Sequence, residues 1–437
     1  MFGWLKVGVS ICTICLVILL GCFTGGTEVN IKGVKIVGSF QINPNTDAIK
    51  QLIPEFEAKY GAKVTIVEET YATMHERQMA EFIADTGAYD VVEYPYQWLA
   101  EYATGGHVVD LYQFINNPEV YDPEFDMDDL IKPVVSIYGE WEGGLYALPN
   151  KFDIYIGIYR KDLYENAGIS PPTTWQELRV ASEKLTSGDI YGLAIPLKVD
   201  DPMMCSFHPF LWNYGGDYFD ENKCPIFNTE SGVAAIKTLK NLLPFMPEGI
   251  LNWGYDEVQT AMQQGKIAYM LQWHAFLPAL QDPETSKVVG KVGYDLSPGT
   301  PLLRLQSLGG WGVGIAADSR HKIAAWKFIE FIQGKKMALK FALAGGSSAR
   351  KSVLTNSKVV EKQPWTPVLL KALENSYGRP RILNWMEVQH IIATGLNDIL
   401  LGKMDPEKGL NKIAAEVYDA MQRVGYHPEK TGPRPRY

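Results

Sequence analysis

Strand-like and helix-like segments alternate near the start of the chain, and this order restricts the fold more narrowly than any other property of the sequence. Short β-branched runs lie at residues 34–37, 63–67 and 90–93, and helical patterns at 49–60 and 74–85 separate them. A β-α-β-α-β order favours a parallel sheet with right-handed crossovers and helices on both faces. We therefore predict an α/β fold.

The alternation continues through the middle of the chain, and the part after residue 316 is mostly helical. Further strands are predicted at 154–159, 191–195 and 267–271. Apolar residues at helical spacing predict helices at 174–185, 230–243, 256–264, 322–333, 336–343, 368–374, 385–401 and 406–424. The first of these helices begins with a capping box, in which Thr174 precedes Glu177 by three residues. A length of 437 residues fits two domains of roughly 100–200 residues, or one two-lobed body.

Composition and charge exclude several classes of protein. The 46% of hydrophobic and 21% of charged residues match a globular protein, and they fit neither a disordered chain nor a multi-span membrane protein. The 41 basic and 50 acidic residues give a net charge of -9. Binding of nucleic acid needs clustered Lys and Arg for phosphate contacts, and no basic cluster is present. We therefore expect no nucleic-acid partner.

Aromatic and polar residues are concentrated just after the predicted strands. Ligands of open parallel α/β sheets bind beyond the carboxyl ends of the strands. A sugar or polyol stacks its C–H faces on aromatic rings and needs hydrogen-bond donors and acceptors for its hydroxyls. The pattern therefore indicates a carbohydrate or polyol site. The residues after predicted strands are Phe40, Gln41, Tyr94, Tyr96, Trp98, Gln272, Trp273 and His274, with Glu93 at the end of one strand; Lys151, Phe152, Asp153 and Tyr155 follow Pro149, and Trp311 follows the glycine pair 309–310.

Packing in the core, or between lobes, is the alternative role for any one of these rings. Trp175 lies in the first turn of a capped helix and is interpreted as a packing anchor. Trp326, Trp365 and Trp385 lie in helical patterns and are also interpreted as core residues.

The first residues have the layout of a secretory signal. Lys6 precedes an apolar run at 7–20, and Gly21 and Cys22 close it. This ending resembles the lipobox of bacterial lipoproteins, in which the Cys is diacylated and becomes the new N-terminus. We expect residues 1–21 to be a signal peptide, Cys22 the lipid anchor and residues 22–27 a tether. An uncleaved membrane helix at 7–23 is the alternative, since 17 residues reach the lower end of the ~17–25 needed to span a bilayer.

Three of the five cysteines lie in the signal or at its end, and the body of the protein keeps the other two. Cys205 and Cys224 could form a disulfide, because secreted proteins fold in an oxidising compartment. Two free thiols are the alternative.

Short motifs spread over the whole chain resemble the family 1 extracellular solute-binding proteins of bacterial ABC importers. This group includes the maltose- and glycerol-phosphate-binding proteins. The order and spacing of these motifs support the resemblance more strongly than any single motif does. The matching segments are Tyr89-Asp90-Val91-Val92, Gly144-Leu145-Tyr146-Ala147-Leu148-Pro149, Ile158-Tyr159-Arg160-Lys161-Asp162-Leu163, Ala167-Gly168-Ile169, Tyr214-Gly215-Gly216, Gly265-Lys266-Ile267-Ala268 and Gly309-Gly310-Trp311.

The resemblance implies a two-lobed periplasmic-binding-protein fold of type II, with a hinge and a ligand cleft between the lobes. Lobe 1 would hold residues 28–150 and 311–345, and lobe 2 residues 151–310 and 346–437. A membrane permease, driven by ATP hydrolysis elsewhere, would recognise the form of the protein that has closed around the solute. The protein itself would be a monomer without cofactor or metal.

The family's cleft contacts can be carried over to matching positions of this chain. The closer matches are Glu93, Tyr94, Asp153, Trp273, Gly310 and Trp311, and the looser ones are His208, Trp212 and Arg350. Phe40 joins them because it follows the first predicted strand.

Other functions fit the sequence less well. A secreted glycoside hydrolase would need two carboxylates across a cleft, and Glu93 and Asp153 could serve. The histidines show no i, i+4 pair typical of zinc proteases, and the acidic residues at 122–129 are interpreted as a solvated face and helix cap. Residues 312–317 match a dinucleotide fingerprint but lie inside a strand-like run. An adhesin would carry its aromatics on one convex face.

We therefore expect a lipid-anchored, extracytoplasmic protein that binds a carbohydrate or polyol and delivers it to ABC permease subunits. It would close around the solute and carry out no chemistry. A peptide, an amino acid or a metal chelate is a less favoured solute.

Overall fold

The structure, a computed structural model, describes residues 29–436. The predicted signal peptide, Cys22 and the tether lie outside the described residues. Within residues 29–436, no helix has both the length and the apolar character needed to cross a membrane.

Ten strands and eighteen α-helices make up the described part of the chain. The strands are β1 (Lys35–Gln41), β2 (Lys63–Glu69), β3 (Val91–Pro95), β4 (Glu140–Trp141), β5 (Gly144–Leu145), β6 (Leu148–Arg160), β7 (Tyr269–Trp273), β8 (Val292–Leu296), β9 (Gln306–Ile315) and β10 (Ser376–Gly378). The helices of the first half are α1 (Pro44–Lys50), α2 (Ile53–Tyr60), α3 (Tyr71–Ala84), α4 (Leu99–Thr104), α5 (Tyr112–Ile115), α6 (Lys132–Gly139), α7 (Lys161–Ala167), α8 (Trp175–Leu185) and α9 (Asp201–Asn213). The remaining helices are α10 (Glu230–Lys240), α11 (Tyr255–Gln263), α12 (Lys322–Gln333), α13 (Lys335–Leu343), α14 (Lys351–Leu354), α15 (Ser357–Lys362), α16 (Thr366–Leu373), α17 (Trp385–Leu400) and α18 (Pro406–Arg423).

The main sheet is mixed rather than parallel. Its order is β2-β1-β3-β9-β6-β7, with β8 beside β6 and β10 beside β9. The predicted parallel pairing is confirmed for β1 with β2 and β3, which helical crossovers connect. It is wrong for β9, which runs antiparallel to both β3 and β6, and for β6 with β7 and β8. No short crossover links β9 to β3, so the right-handed crossover rule does not fix its direction.

Buried apolar side chains form separate cores on the two sides of the molecule. The first side combines residues before 149 with residues 313–341 and includes Trp326. The second side extends from Phe152 to Met421 and also takes in Tyr96, Ile131, Val134 and Tyr138. Strands β6 and β9 belong to both: Leu148 and Val313 pack in the first core, whereas Phe152 and Leu308 pack in the second. The α/β fold with two lobes is therefore confirmed, and these two strands join the lobes.

Several local predictions are also confirmed. The capping box at Thr174 and Glu177 is formed at the start of α8. Trp175 is buried and stacks on Phe210 at 3.9 Å between ring centroids. The helical pattern predicted at 49–60 is divided at Pro54: the chain forms α1 and then a separate α2 with this proline in its first turn.

Some elements differ from the sequence prediction. Residues 191–195 form two isolated bridges, from Tyr191 to Ile267 and from Ala194 to Met270, rather than a strand. Helix α9 and strands β8 and β10 were not expected. Nearly every residue of α9 is buried, so no amphipathic pattern marks it, and Pro209 lies inside it.

Candidate functional site

A buried polar cluster lies where β1 and β3 end and β6 begins. The Glu93 carboxylate accepts hydrogen bonds from the Gln41 N–H at 3.0 Å, from the Asn150 amide and from Lys151 Nζ at 3.1 Å. Lys151 also donates to Gln41 Oε1 at 3.2 Å. Burial lowers the pKa of Lys151, and the nearby Glu93 acts in the opposite direction. Both oxygens of Glu93 are thus bound by protein groups, and the carboxylate holds the lysine in place.

An aromatic wall faces this cluster from the first lobe. Lys151 Nζ lies 4.5 Å from the centre of the Trp311 ring, a cation–π distance. The rings of Tyr71 and Trp98 meet Trp311 edge-on at 5.9 and 6.2 Å between centroids. Trp98 Nε1 is buried and has no hydrogen-bond partner in the protein. The Tyr71 hydroxyl reaches Met386 Sδ of the second lobe at 3.9 Å, so the two lobes touch here.

A second cation–carboxylate pair lies on the opposite side, in the second lobe. Arg379 Nη1 donates to Asp201 Oδ1 at 2.7 Å, and the guanidinium lies 5.8 Å from the centre of the Trp273 ring. Asp201 also accepts from the Tyr255 hydroxyl at 2.8 Å. Burial raises the pKa of the Tyr71 and Tyr255 phenols well above their ordinary value, so both remain protonated hydrogen-bond donors.

Asp153 lies between these two groups on β6. Its side chain is 18% exposed, and its Oδ1 accepts from the Ala275 N–H at 3.2 Å. Asp153 is paired with Gly309 of β9. A Cβ atom at Gly309 would lie 2.6 Å from the Trp273 ring, so glycine at this position makes room for the indole. Asp153 and Trp273 therefore share one wall of the cleft.

Gly310 lies inside β9, directly before Trp311, where the sequence had suggested a turn. Its φ of +129° lies in the region that favours glycine, and a Cβ atom there would approach the Lys151 carbonyl oxygen at 2.6 Å and the Tyr138 hydroxyl. Of the predicted site residues, the structure thus brings Glu93, Asp153, Trp273, Gly310 and Trp311 to the region between the lobes.

The structure places the other predicted site residues elsewhere. Phe40 is buried in the core of the first lobe. Tyr94 is also buried, and its hydroxyl donates to the Tyr146 carbonyl at 3.0 Å. Successive side chains of a strand point to opposite faces, so Tyr94 faces the core when Glu93 faces the polar cluster.

His208 and Trp212 lie on the same side of α9 and stack on each other at 4.9 Å inside the second lobe. His208 Nδ1 is hydrogen-bonded to the Tyr218 hydroxyl at 2.6 Å, and burial lowers the pKa of this histidine well below its ordinary value. The ring is therefore neutral and packed, and these two residues do not reach the cleft cluster.

Arg350 is buried, and residues of the first lobe hold its side chain. Its guanidinium donates to the carbonyl oxygens of Gln333, Phe125 and Asp126 at 2.6–2.9 Å, and to Asp129 at 3.2 Å. These bonds tie the segment that carries Arg350 to the first lobe.

The two cysteines of the described residues are free thiols, so the disulfide considered from the sequence is not formed. Cys205 Sγ lies 3.4 Å from Arg379 Nη1, and burial raises the pKa of its thiol. Cys224 packs beside Gly432 near the end of the chain. Each sulfur atom thus has neighbours of its own.

No metal site is found among the described residues, since residues 29–436 contain no group of three or more His, Cys, Asp or Glu placed to hold an ion. The acidic residues at 122–129 instead cap a helix or form ion pairs. Asp122 caps a short 3₁₀ helix, Asp126 forms an ion pair with Lys335, and Asp129 forms one with Arg350. Residues 312–315 lie inside β9 rather than opening a helix, as expected.

Tyr71, Asp201 and Arg379 were missed by the sequence analysis. Arg379 follows β10, which is only three residues long and too short to give a pattern. Asp201 begins α9, the helix without amphipathic periodicity. The signal that could have found Arg379 is its place directly after a strand, the rule that indicated Trp273.

Comparison with known proteins gives consistent matches over most of the chain. Residues 43–338 match the family model described as bacterial extracellular solute-binding protein. A probable amino-acid ABC transporter periplasmic-binding protein of Sinorhizobium fredii is 26% identical over 402 residues, which are 90% of this chain and 91% of the relative. The mannitol-binding protein of Pseudomonas aeruginosa is 25% identical over 331 residues, which are 69% of this chain and 75% of the relative.

Solved structures match over nearly the same length. An ABC transporter solute-binding protein of Agrobacterium radiobacter in complex with ribitol has a TM-score of 0.83 and 29% identity, and the match covers 90% of this chain and all of that one. Maltose-bound MalE3 of T. maritima has a TM-score of 0.81 and 27% identity, with 89% of this chain and all of that one covered. These matches agree in fold and in the kind of transport system.

Proposed function

Because the chain belongs to the bacterial extracellular solute-binding proteins, we propose that it captures a small uncharged polyol or sugar between its lobes and delivers it to the permease of an ABC importer. Closure of the lobes around the solute would present the loaded form to the permease.

One observation supports this proposal most strongly: each cation of the cleft is paired with a carboxylate. Lys151 is neutralised by Glu93 on one side, and Arg379 by Asp201 on the other. A charged solute would find no free counter-charge in these pairs, whereas a hydroxyl can donate to a carboxylate and accept from an N–H at the same pair.

The ring of Trp273 adds an apolar surface for the C–H faces of such a solute. The aromatic residues of the cleft are enclosed between the lobes: Trp98 and Trp273 are 1% and 6% exposed. This enclosure fits capture of a small molecule better than adhesion through a convex face.

The names of the relatives support the same solute class. They include mannitol-binding and erythritol/L-threitol-binding proteins, and the similar structures include complexes with ribitol and D-mannitol. One relative is named for amino acids, so amino acids belong in any test of the solute. Nothing among these relatives supports the glycoside hydrolase, and we propose that the protein carries out no chemistry of its own.

Proteins of this family act outside the cytoplasm, and the lipobox-like end of the signal supports anchoring of this one at Cys22. We also propose that residues 28–150 with 311–345 form lobe 1 and that residues 151–310 with 346–437 form lobe 2. The division of the apolar cores supports these limits.

A thermal-shift screen of the chain from residue 23 tests the proposed function. Acyclic polyols, mono- and disaccharides, short oligosaccharides, sugar phosphates and amino acids are added in turn. A solute at 100 times its Kd stabilises the folded state by about 2.7 kcal/mol. We expect a large shift from a narrow group of polyols or sugars. A shift from amino acids alone, or release of product from an oligosaccharide, would contradict the proposal.

Two neighbouring carboxylates provide a matched pair of variants for this screen. Asp201→Asn removes the partner of Arg379 and should weaken solute affinity by about tenfold or more, because a hydrogen bond to a charged group is worth ~1.5–3 kcal/mol. Asp200→Asn changes the adjacent residue, whose partner is the exposed His390, and should leave affinity unchanged. Equal affinities of the two variants would show that Asp201 is not part of the site.

A further inference from the structure

The imidazole of His274 lies directly behind Asp153, at the end of β7. The pairing of β6 with β7 ends at Tyr155 and Trp273, and the next N–H of β6 belongs to Ile154. His274 Nδ1 accepts that N–H at 3.0 Å, so the side chain supplies the partner that the backbone of β7 no longer provides. The ring is 3% exposed.

The hydrogen bonds around His274 determine which nitrogen carries the proton. Ser347 Oγ lies 2.6 Å from the Phe152 carbonyl oxygen, which can only accept, so the hydroxyl donates to it. Ser347 Oγ therefore accepts from His274 Nε2, which is 2.7 Å away. His274 Nε2 therefore carries a proton.

Ser347 extends this chain of hydrogen bonds to the other lobe. It belongs to the segment 344–350, which leads from α13 in the first lobe to α14 and the second lobe. Its N–H donates to Asn45 Oδ1 of α1 at 2.9 Å. Asn45, His274 and Ser347 are all more than nine-tenths buried. The side chain of His274 thus connects β6 to a third segment that crosses between the lobes.

His274 also contacts the carboxylate of Asp153. Asp153 Oδ1 is 2.8 Å from Nδ1 and accepts the Ala275 N–H at 3.2 Å. Both contacts are made to Oδ1, so Oδ2 keeps acceptor capacity for the hydroxyls of a solute. The groups around the ring are Asp153, Ser347 and the Phe152 ring at 5.0 Å between centroids.

We propose that His274 is a positioning residue that couples Asp153 to the crossing segment 344–350 through Ser347. The binding of a solute by Asp153 and the relative position of the two lobes then depend on the same chain of hydrogen bonds. This inference rests on the proposed function of the cleft, and it assigns His274 no direct contact with the solute.

A double-mutant cycle tests the coupling, with ribitol and D-mannitol as probes. His274→Asn can still accept the Ile154 N–H but cannot reach Ser347, and Ser347→Ala removes the other end of the same bond. Each should weaken affinity by about tenfold, and the double variant should be no weaker than either one, because contacting residues of one network are not additive. His274→Gln, whose amide can reach Ser347, should recover most of the affinity.

The outcome that would overturn the proposal is a lower unfolding midpoint with unchanged affinity in His274→Asn and Ser347→Ala. Full additivity of the two changes would also overturn it. Rescue by glutamine separates a positioning role from simple loss of packing, since glutamine fills the space of the ring poorly.

A second measurement needs no solute and separates this inference from the proposed function. Long-range ¹H–¹⁵N NMR of the whole chain from residue 23 should show a proton on His274 Nε2 that is protected from exchange. Protection should be lost in Ser347→Ala. An unprotonated Nε2, or an Nε2 proton that exchanges freely, would refute the proposal even if both polyols bind. Absence of binding by any solute, with the expected NMR result, would refute only the function of the cleft.

Discussion

The hydrogen bonds of the Glu93 carboxylate, rather than its charge alone, determine its role in the candidate site. Both of its carboxylate oxygens are bound by Gln41, Asn150 and Lys151, so the acidic group predicted to contact solute instead fixes the position of a lysine. Lys151 then presents its ammonium between this carboxylate and the Trp311 ring. A substitution at Glu93 would leave a buried lysine without its partner, which is costly in itself.

Replacing Gly310 tests how tightly β9 is packed directly before Trp311. Gly310→Ala combines an unfavourable φ with close contacts to Lys151 and Tyr138, and it should lower the free energy of unfolding by roughly 2–4 kcal/mol. Gly143→Ala is the control, since φ there is +88° but nothing lies within 4 Å of the added Cβ, and it should cost about 1–2 kcal/mol.

Chemical denaturation of both variants gives the comparison. Equal losses would mean that the space around Gly310 relaxes and that only its backbone conformation matters.

The candidate site could be predicted from the sequence where a residue follows a predicted strand, as Trp273 does, or matches a position of the family motifs, as Asp153 and Trp311 do. Tyr94 was misplaced because adjacent residues of a strand face opposite sides, and the sequence does not say which side is the cleft. Arg379 meets Trp273 although more than a hundred residues separate them, and no local pattern encodes that contact.

Helix α8 shows how a local signal fixes the start of an element. Thr174 Oγ1 accepts the Glu177 N–H at 3.2 Å, and the Glu177 carboxylate accepts the Thr174 N–H at 3.2 Å. Thr174→Ala should therefore lower the free energy of unfolding by about 1 kcal/mol. Gln176→Ala, at an exposed position of the same helix, should change it by less than ~0.5 kcal/mol.

Denaturant titration measures both variants, and solute affinity should be unchanged in each because α8 lies outside the cleft cluster. A loss of affinity in Thr174→Ala would indicate that α8 contributes to the geometry of the cleft.

Elements with strong periodicity were predicted closely, and those without it were not. The predicted helix at 406–424 coincides with α18, which has one buried and one exposed side. By contrast, α9 is buried on all sides and carries no helical period. The direction of β9 could not be predicted, because short apolar runs look alike in parallel and antiparallel strands.

The contact between Tyr71 and Met386 shows that the two lobes meet across the cleft. If the solute is held there, its removal should separate the lobes. Spin labels can be placed at Ile42 of the first lobe and Leu302 of the second, which are 56% and 93% exposed. The distance between them, measured by pulsed electron resonance, should become shorter and less variable when ribitol or D-mannitol binds.

Labels at Ile42 and Ile83, both in the first lobe, provide the control distance, which should not change. Cys205 and Cys224 are buried and should not compete for the label. An unchanged distance between the lobes, despite a thermal shift, would contradict binding by closure.

The position of β9 also governs the order in which the molecule can be completed during synthesis. Strand β3 pairs with β1 on one side and with β9 on the other, yet β9 is made only after most of the second lobe. Ribosomes add roughly 5–20 residues per second, so the edge of β3 stays unpaired for tens of seconds. During this interval the first lobe lacks a central strand of its sheet. A chain exported during this interval would therefore reach a translocation pore before its first lobe can complete its sheet.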